Sequence, residues 1–534
     1  MWIKIKMGVI PKAAIRQFLA RDRGDFRKWK NYKFNKLDAL MEKLPARPPI
    51  WRRLRKHQRV CLLLGARHGS WAFFLDTGCG KTLLSIALAR YFEKVKRGKV
   101  FLVLVPNRIN MFEWGDEIEK HSPNTKYTVL GGSSKEKWAA VQKGDSLLYV
   151  TTYMGLLHMV CKTTVTKKGV TKMTPWDKQI NALLRVVDGF FFDESTELGN
   201  PDSLTYRICR RFAKAKNKLV YPLTGTPFGK DPKPLWAQMF LVDLGHSLGE
   251  TLGLFRSAFY SETMNQMSGF PEYHFEKKKA KLLHEFIAAR SITYEAEATS
   301  LPKLIPVVKE VNMSSDAEAH YYAVKDEFRS ALEVKGPKDL TVIKNSFLRL
   351  RQISSGFIGY HDDETGERAS LEFKDNPKLD LLLSILDEVT PRYKVVVYCQ
   401  FTISGAMICR ELSKVKIGHQ RIYGGTKDQK VVLEAFKTDE SCRVLVLNND
   451  CGGFGLNLQI ARYGIYFESP ISPIMRKQTR RRVERQGSDH SSVFIYDLIT
   501  RGTYDHANLA ALEEGKNLLE EVLRGKAKDF IFGK

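Results

Sequence analysis

The run Leu75-Asp76-Thr77-Gly78-Cys79-Gly80-Lys81-Thr82 constrains the fold of this chain more than any other segment. Before it stands Trp71-Ala72-Phe73-Phe74, an apolar stretch that predicts a buried strand. After it, Leu83 to Leu88 predicts a helix. Glycines at 78 and 80 allow backbone N–H groups to wrap a phosphate without Cβ clashes, and the helix N-terminus adds its positive dipole. Thr77, Gly78, Cys79 and Gly80 are therefore candidate nucleotide-binding residues. Lys81 is placed to reach β- and γ-phosphates, and Thr82 to ligate Mg²⁺. The glycine that usually stands six residues before the lysine is Leu75 here.

Such a loop needs a metal-binding carboxylate at the end of a neighbouring strand. Phe190-Phe191-Phe192 predicts that strand, with Asp193 and Glu194 at its C-terminal end, where open α/β sheets bind ligands. Asp193 is the candidate Mg²⁺ ligand, and Glu194 the group that orients and deprotonates an attacking water. The cofactors expected are thus ATP and Mg²⁺. Upstream, Gln58 lies where an amide could read an adenine edge through paired hydrogen bonds.

At 534 residues the chain has length for roughly three domains. No apolar run approaches the ~20 residues of a membrane span, and no signal peptide is visible, so no membrane partner is expected. The eight cysteines lack C-x-x-C pairs, which suggests reduced thiols in a cytoplasmic setting. The net charge of +27 favours polyanionic partners. Residues 1–57 hold 17 Lys/Arg against four acids. Within them, Phe26-Arg27-Lys28-Trp29-Lys30-Asn31-Tyr32-Lys33-Phe34-Asn35-Lys36 interleaves aromatics with bases. That mixture suits contact with nucleic acid, and equally an accessory element whose aromatics pack onto the body of the protein.

Further strands are expected at Val100 to Val105, ending in Pro106-Asn107, and at Leu147 to Val150, ending in Thr151-Thr152. Another, near Lys218 to Leu223, leads into Thr224-Gly225-Thr226-Pro227. This βα alternation predicts a parallel sheet with helices on both faces.

The ordered set resembles helicase superfamily 2, and within it the Swi/Snf-like branch of double-stranded DNA translocases, most of all its compact phage and prokaryotic members. In that resemblance DTGCGKT corresponds to motif I, Asp193-Glu194-Ser195-Thr196 to motif II and Leu223-Thr224-Gly225-Thr226-Pro227 to motif III. Thr196 stands where the family more often has histidine, and Thr196, Thr224, Gly225 and Thr226 take the coupling positions. Lys394 to Thr402, ending in Gln400-Phe401-Thr402, is similar to motif IV. Gly452 to Leu458, with Gly453 and Asn457, is similar to motif V. Gln478 to Gly487 is similar to motif VI. Gln478, Arg482 and Arg485 keep the family spacing of i, i+4 and i+7, which places them on one helix face. The resemblance makes Gln478 an ATP contact and Arg482 and Arg485 catalytic arginine fingers. It also makes Pro106, Asn107, Thr151, Thr152, Gln400, Phe401, Thr402, Gly453 and Asn457 contacts to one nucleic-acid strand.

The resemblance implies two tandem RecA-like parallel-sheet domains with a helical connection and a basic N-terminal extension. The expected division is an extension over 1–45, lobe 1 over 46–245, a helical connection over 246–375, lobe 2 over 376–510 and a C-terminal brace helix or tail over 511–534. Helices are expected at Ser315 to Val334, Leu340 to Arg351 and Leu512 to Leu523, and a β-hairpin at 163–174. The implied activity is an ATP-driven motor on duplex DNA. Its rivals are a strand-separating helicase on forked or branched DNA or RNA, and a nucleotide-gated DNA-binding scaffold with weak hydrolysis. DNA is the expected partner, duplex favoured over branched or single-stranded forms, with replication or recombination proteins as further candidates. The implied location is the cytoplasm of a bacterial or phage-infected cell, with the nucleus left open.

Overall fold

A computed structural model describes residues 26–76, 78–165, 171–229, 231–264, 271–295, 301–333, 337–361, 368–452, 456–484 and 488–523. The chain divides into two compact units. One is Met1–Thr263 with Glu272–Ala296, the other Met264–Pro271 with Glu297–Lys534, taken over the described residues.

The first unit is built on seven parallel strands. In chain order they are β1 (Ala72–Leu75), β2 (Phe101–Val105), β3 (Tyr127–Val129), β4 (Leu148–Thr152), β5 (Gly189–Asp193), β6 (Leu219–Thr224) and β7 (Ser291–Tyr294). Across the sheet they run β7-β1-β6-β5-β2-β4-β3. The central strands read as continuous apolar runs because helices cover both faces, leaving no solvent side for polar alternation. Sequences such as FLVLV and GFFFD are accordingly buried at every position. Two apolar clusters lie on the two faces, one around Phe190, Phe192 and Phe212, the other around Phe73, Phe101 and Phe191. This alternation along β5 follows from the two-residue period of a strand.

The second unit carries six parallel strands, β8 (Lys303–Val311), β9 (Val395–Cys399), β10 (His419–Ile422), β11 (Val444–Asn448), β12 (Tyr463–Tyr466) and β13 (Ser492–Thr500). Their order is β8-β13-β12-β9-β11-β10. The fold is therefore two tandem RecA-like parallel-sheet domains with a basic N-terminal segment, joined by a stretch that holds strands as well as helices.

Edge strands β7 and β8 fall in the stretch read as a helical connection. Both were missed because SITY is short and β8 is exposed along much of one face, so neither shows a buried apolar run. Helices Ser315–Glu333 and Pro337–Ile353 lie where helices were expected. The helix expected over Leu512 to Leu523 is instead two helices, Tyr504–Glu513 and Leu518–Leu523. Gly515 at φ 65° breaks the run, a conformation in which glycine avoids the Cβ penalty. Leu518 and Val522 then pack with Tyr321, Phe328, Phe347 and Tyr504 of the same unit. The strands Cys161–Val165 and Thr171–Pro175 pair antiparallel as the expected hairpin, whose tip lies outside the described residues.

In the basic N-terminal segment Phe26 and Trp29 pack inward, whereas Phe34 is exposed. Trp29 is only 6% exposed, and Phe26 meets Trp71 edge-on at 5.4 Å and His68 at 4.7 Å. Burial, then the Arg290 charge, pushes the His68 imidazole down to about 4. Lys30 donates to the Thr293 carbonyl on β7, while Arg27, Lys28, Lys33 and Lys36 stay exposed. Trp29→Ala is expected to destabilise the first unit by about 3 kcal/mol, measured by urea unfolding. A loss below 1 kcal/mol would mean that the segment is only loosely held.

Candidate functional site

Strand order assembles the first-unit site. β1, β6 and β5 are neighbours, so their C-terminal ends, at Leu75, Thr224 and Asp193, lie side by side. The phosphate-loop run leaves β1 and turns through Gly78 (φ 85°) and Gly80 (φ 72°) into helix Lys81–Lys94. Gly80 has a second reason to lack a side chain, since a Cβ there would sit 2.3 Å from Gln58 Nε2. Thr77 lies outside the described residues. Cys79 is buried and Thr82 half-buried on the first turn of the helix.

Lys81 Nζ donates to the Leu75 carbonyl at 3.2 Å and stands 3.7 Å from Glu194 Oε1. Glu194 Oε2 accepts from Thr224 Oγ1 at 3.1 Å. Asp193 is held from two sides: Trp114 Nε1 donates to its Oδ2 at 2.8 Å, and the Glu194 N–H to its Oδ1 at 3.1 Å. Tyr153 OH fixes the Asp193 carbonyl at 2.9 Å. Burial, and then the adjacent Glu194 charge, raises the Asp193 carboxyl above the usual carboxylate range. Two neighbouring carboxylates beside one ammonium make a donor set that a divalent cation would suit. Glu194 adopts φ 47°, left-handed for a non-glycine residue, a strained geometry at a position where strain often accompanies function.

Gln58 is buried, and its amide is used internally: Oε1 accepts from the Arg55 N–H at 2.9 Å, and Nε2 donates to the Gly80 carbonyl at 3.1 Å. Thr224 Oγ1 also accepts from the Thr226 N–H at 3.1 Å. A Cβ on Gly225 would approach the Asp76 Cα to 3.0 Å, so this turn lies directly on the phosphate loop. Thr196 is half-buried on the 3₁₀ turn Ser195–Leu198. Ser195, one residue earlier, ties that turn to Gln238 at 2.6 Å, a contact that motif spacing did not reveal.

The loops expected to meet nucleic acid also converge within each unit. Thr151 and Thr152 pair in register with Leu104 and Val105, which places Pro106-Asn107 beside them. Asn107 and Thr152 cap the helices that follow, accepting from the Asn110 and Gly155 N–H groups. The buried Asn107 Nδ2 and Thr151 Oγ1 have no hydrogen-bond partner.

In the second unit, Cys399 pairs with Asn448, so Gln400 adjoins the segment after β11. Glu468 accepts from the Gln400 N–H at 2.5 Å, the Phe401 N–H at 3.1 Å and Ser404 Oγ at 2.5 Å, pinning the start of helix Thr402–Lys414. Asn449 Nδ2 links the Gln400 side chain and the Glu468 carbonyl. Glu468 and Asn449 were not singled out from sequence. Gly453 and Arg485 lie outside the described residues, and Asn457 is half-buried with its Oδ1 unpartnered. Helix Pro473–Val483 ends before 485, so its described face carries Gln478 and Arg482, both buried. Arg476, not anticipated, lies 3.5 Å from the Tyr466 ring centroid and pairs with Asp497 at 2.5 Å.

Two RecA-like sheets, the first with a phosphate loop beside an Asp-Glu pair, define the helicase-like class of nucleotide-binding fold. Residues 57–356 match the model of the SNF2-related domain, and 377–487 that of the helicase conserved C-terminal domain. The chain belongs to the SNF2-related, Swi/Snf-like family, a membership that implies ATPase/helicase activity. It is 24% identical over 475 residues to the CHD3-type chromatin-remodeling factor CHR7 of Arabidopsis thaliana, covering 84% of this chain and 35% of that protein. It is 23% identical to the uncharacterized ATP-dependent helicase MG018 of Mycoplasma genitalium, covering 84% and 40%. The chain thus spans well under half the length of these relatives. Among solved structures, the Sulfolobus solfataricus SWI2/SNF2 ATPase core in complex with dsDNA is 22% identical, with TM-score 0.37 and coverage of 88% and 93%. The Pyrococcus furiosus Hef helicase domain is 17% identical, with TM-score 0.47 and coverage of 86% and 98%. No helix among the described residues is long and apolar enough to cross a membrane.

Proposed function

We propose that the chain is an ATP- and Mg²⁺-dependent motor that moves on duplex DNA. The observation that carries this reading is the convergence of Lys81, Glu194 and Thr224 beneath the phosphate loop. In this role Thr77, Gly78, Cys79 and Gly80 cradle the phosphates, Lys81 reaches their β/γ oxygens, and Asp193 and Thr82 hold Mg²⁺. The metal supplies charge neutralisation at the γ-phosphoryl group. Glu194 orients the attacking water and accepts its proton, and the Thr224 hydroxyl holds that carboxylate in place. Gln58 would exchange its internal bonds for the adenine edge, with Gln478 as a further ATP contact. Arg482 and Arg485 stabilise the charge that develops during transfer.

Motor action needs a grip on a track from both units. Pro106, Asn107, Thr151 and Thr152 on one, and Gln400, Phe401, Thr402, Gly453 and Asn457 on the other, are the proposed phosphate contacts. Thr196, Gly225 and Thr226 pass the state of the nucleotide to them. Support for a nucleic-acid track comes from the net charge of +27 and family membership. Duplex DNA is favoured because one relative is a chromatin-remodeling factor.

The test is steady-state ATPase with no polymer, duplex DNA, single-stranded DNA or RNA at one fixed salt concentration. Strong stimulation by duplex DNA alone is expected. Preference for single strands or RNA would favour strand separation, and no stimulation would overturn the motor reading.

Trp114→Phe removes the indole donor that favours the charged Asp193, so its raised pKa rises further. The acidic limb of the kcat/KM profile is then expected to move to higher pH, with more Mg²⁺ needed near that limb. An unmoved limb would separate Asp193 titration from activity.

A further inference from the structure

The far end of helix Lys81–Lys94 opens on a cavity of about 470 Å³ lined by Arg47, Arg52, Arg53, Arg90 and Lys94. A helix of this length spans about 20 Å, so the cavity lies well away from the phosphate loop. Helix Arg108–His121 likewise starts beside Asn107 and ends at the cavity, which therefore faces the opposite edge of the sheet from the proposed DNA contacts.

Three of the five cations donate to neutral acceptors. Arg53 donates to the His121 carbonyl at 3.1 Å, Arg90 to Ser122 Oγ at 2.8 Å, and Lys94 to the Arg47 carbonyl at 3.2 Å. Among the described residues none of the five pairs with a carboxylate; Glu117, nearby, pairs with His121 at 3.1 Å. Capping of helix C-termini accounts for part of this charge. Two helix ends carry roughly half a negative charge each, which offsets about one of the five. Several positive charges remain on one concave surface; Arg47, Arg52, Arg53 and Lys94 are exposed there, so it is their summed field that draws an anion.

We propose that this cavity binds a compact anion with closely spaced phosphate groups, supplied either by a free polyphosphate or by a nucleic-acid backbone. Four of the five cations are arginines, whose planar forks match phosphate oxygens two at a time. An acidic peptide fits less well, because the walls include Pro48, Pro49 and Pro123, which have no N–H to offer its main chain. The donors identified are side-chain cations, as a phosphate-dense ligand requires.

The probe is sodium tripolyphosphate, titrated calorimetrically into the full chain without Mg²⁺. Wild type is expected to bind two equivalents, one at the phosphate loop. Arg52→Ser/Arg90→Ser should bind one, with the KM for ATP unchanged. Arg47→Ser/Arg52→Ser spares the Arg90 bond to Ser122 and guards against misfolding; it should weaken the second site about tenfold or more. Equal stoichiometry and affinity in wild type and both variants would overturn the proposal. So would polyglutamate displacing tripolyphosphate more strongly than any phosphate competitor. A single equivalent that disappears in the variants would leave this site standing and count against the phosphate loop. Competition by a blunt duplex assigns the phosphates to nucleic acid, and its absence assigns them to a free polyphosphate; either supports the site.

Discussion

Glu194→Gln is expected to lower kcat for ATP hydrolysis by about 10²–10⁴-fold while leaving nucleotide affinity within a few-fold of wild type. The amide keeps the shape of the side chain and can still meet Thr224 Oγ1, but it cannot take a proton from water. It also removes the negative charge that raises the Asp193 carboxyl. Metal binding through Asp193 should therefore persist, which separates this variant from one that loses the nucleotide. Lys81→Ala should instead lose affinity and turnover together, because its ammonium would meet the phosphates in the ground state and more strongly still as charge builds in the transition state. Single-turnover hydrolysis and fluorescent-nucleotide binding measured on both variants check the pair. Normal turnover in Glu194→Gln would remove Glu194 from the chemistry and leave it as a structural partner of Lys81 and Thr224.

The second large effect concerns stability. Lys378 Nζ and Asp505 Oδ2 stand 2.7 Å apart, with side chains only 2% and 8% exposed. The same Asp505 oxygen accepts from the Thr500 N–H at 2.9 Å. Asp505→Ala strands a buried ammonium and is expected to destabilise the second unit by about 3–5 kcal/mol. Lys378→Met/Asp505→Leu removes both charges and should recover much of that loss, since desolvating the pair offsets most of its attraction. Urea unfolding followed at the second-unit transition measures both. If the double variant is as unstable as Asp505→Ala, the loss comes from packing or the Thr500 bond rather than from the stranded charge.

The sequence carried the first-unit site further than its surroundings. Gly78, Gly80 and Lys81 were legible because a phosphate loop demands those residue types in a contiguous run. Asp193-Glu194 was legible because it ends an apolar strand. Trp114 and Tyr153, which hold Asp193, lie 79 and 40 residues away in sequence, and no local pattern announces such contacts. Glu468 was equally hidden: an acidic residue after an apolar strand looks like a solvated loop until three donors are seen around it.

What the sequence determined by itself is the set of elements whose signal is local: apolar strands, the phosphate loop, the acidic pair and the order of motifs along the chain. Tertiary structure alone decided which strand ends become neighbours. The order β7-β1-β6-β5-β2-β4-β3 sets Thr224 between Leu75 and Asp193 although they are distant in the chain. It decided the edge strands β7 and β8, which pair on one side only and so need not be apolar throughout. It also decided that Phe26 and Trp29 pack inward, that Lys378 meets Asp505, and that five cations share one cavity. Each of these depends on non-local packing or pairing, whose energy appears only once distant segments meet, so no window of sequence contains it.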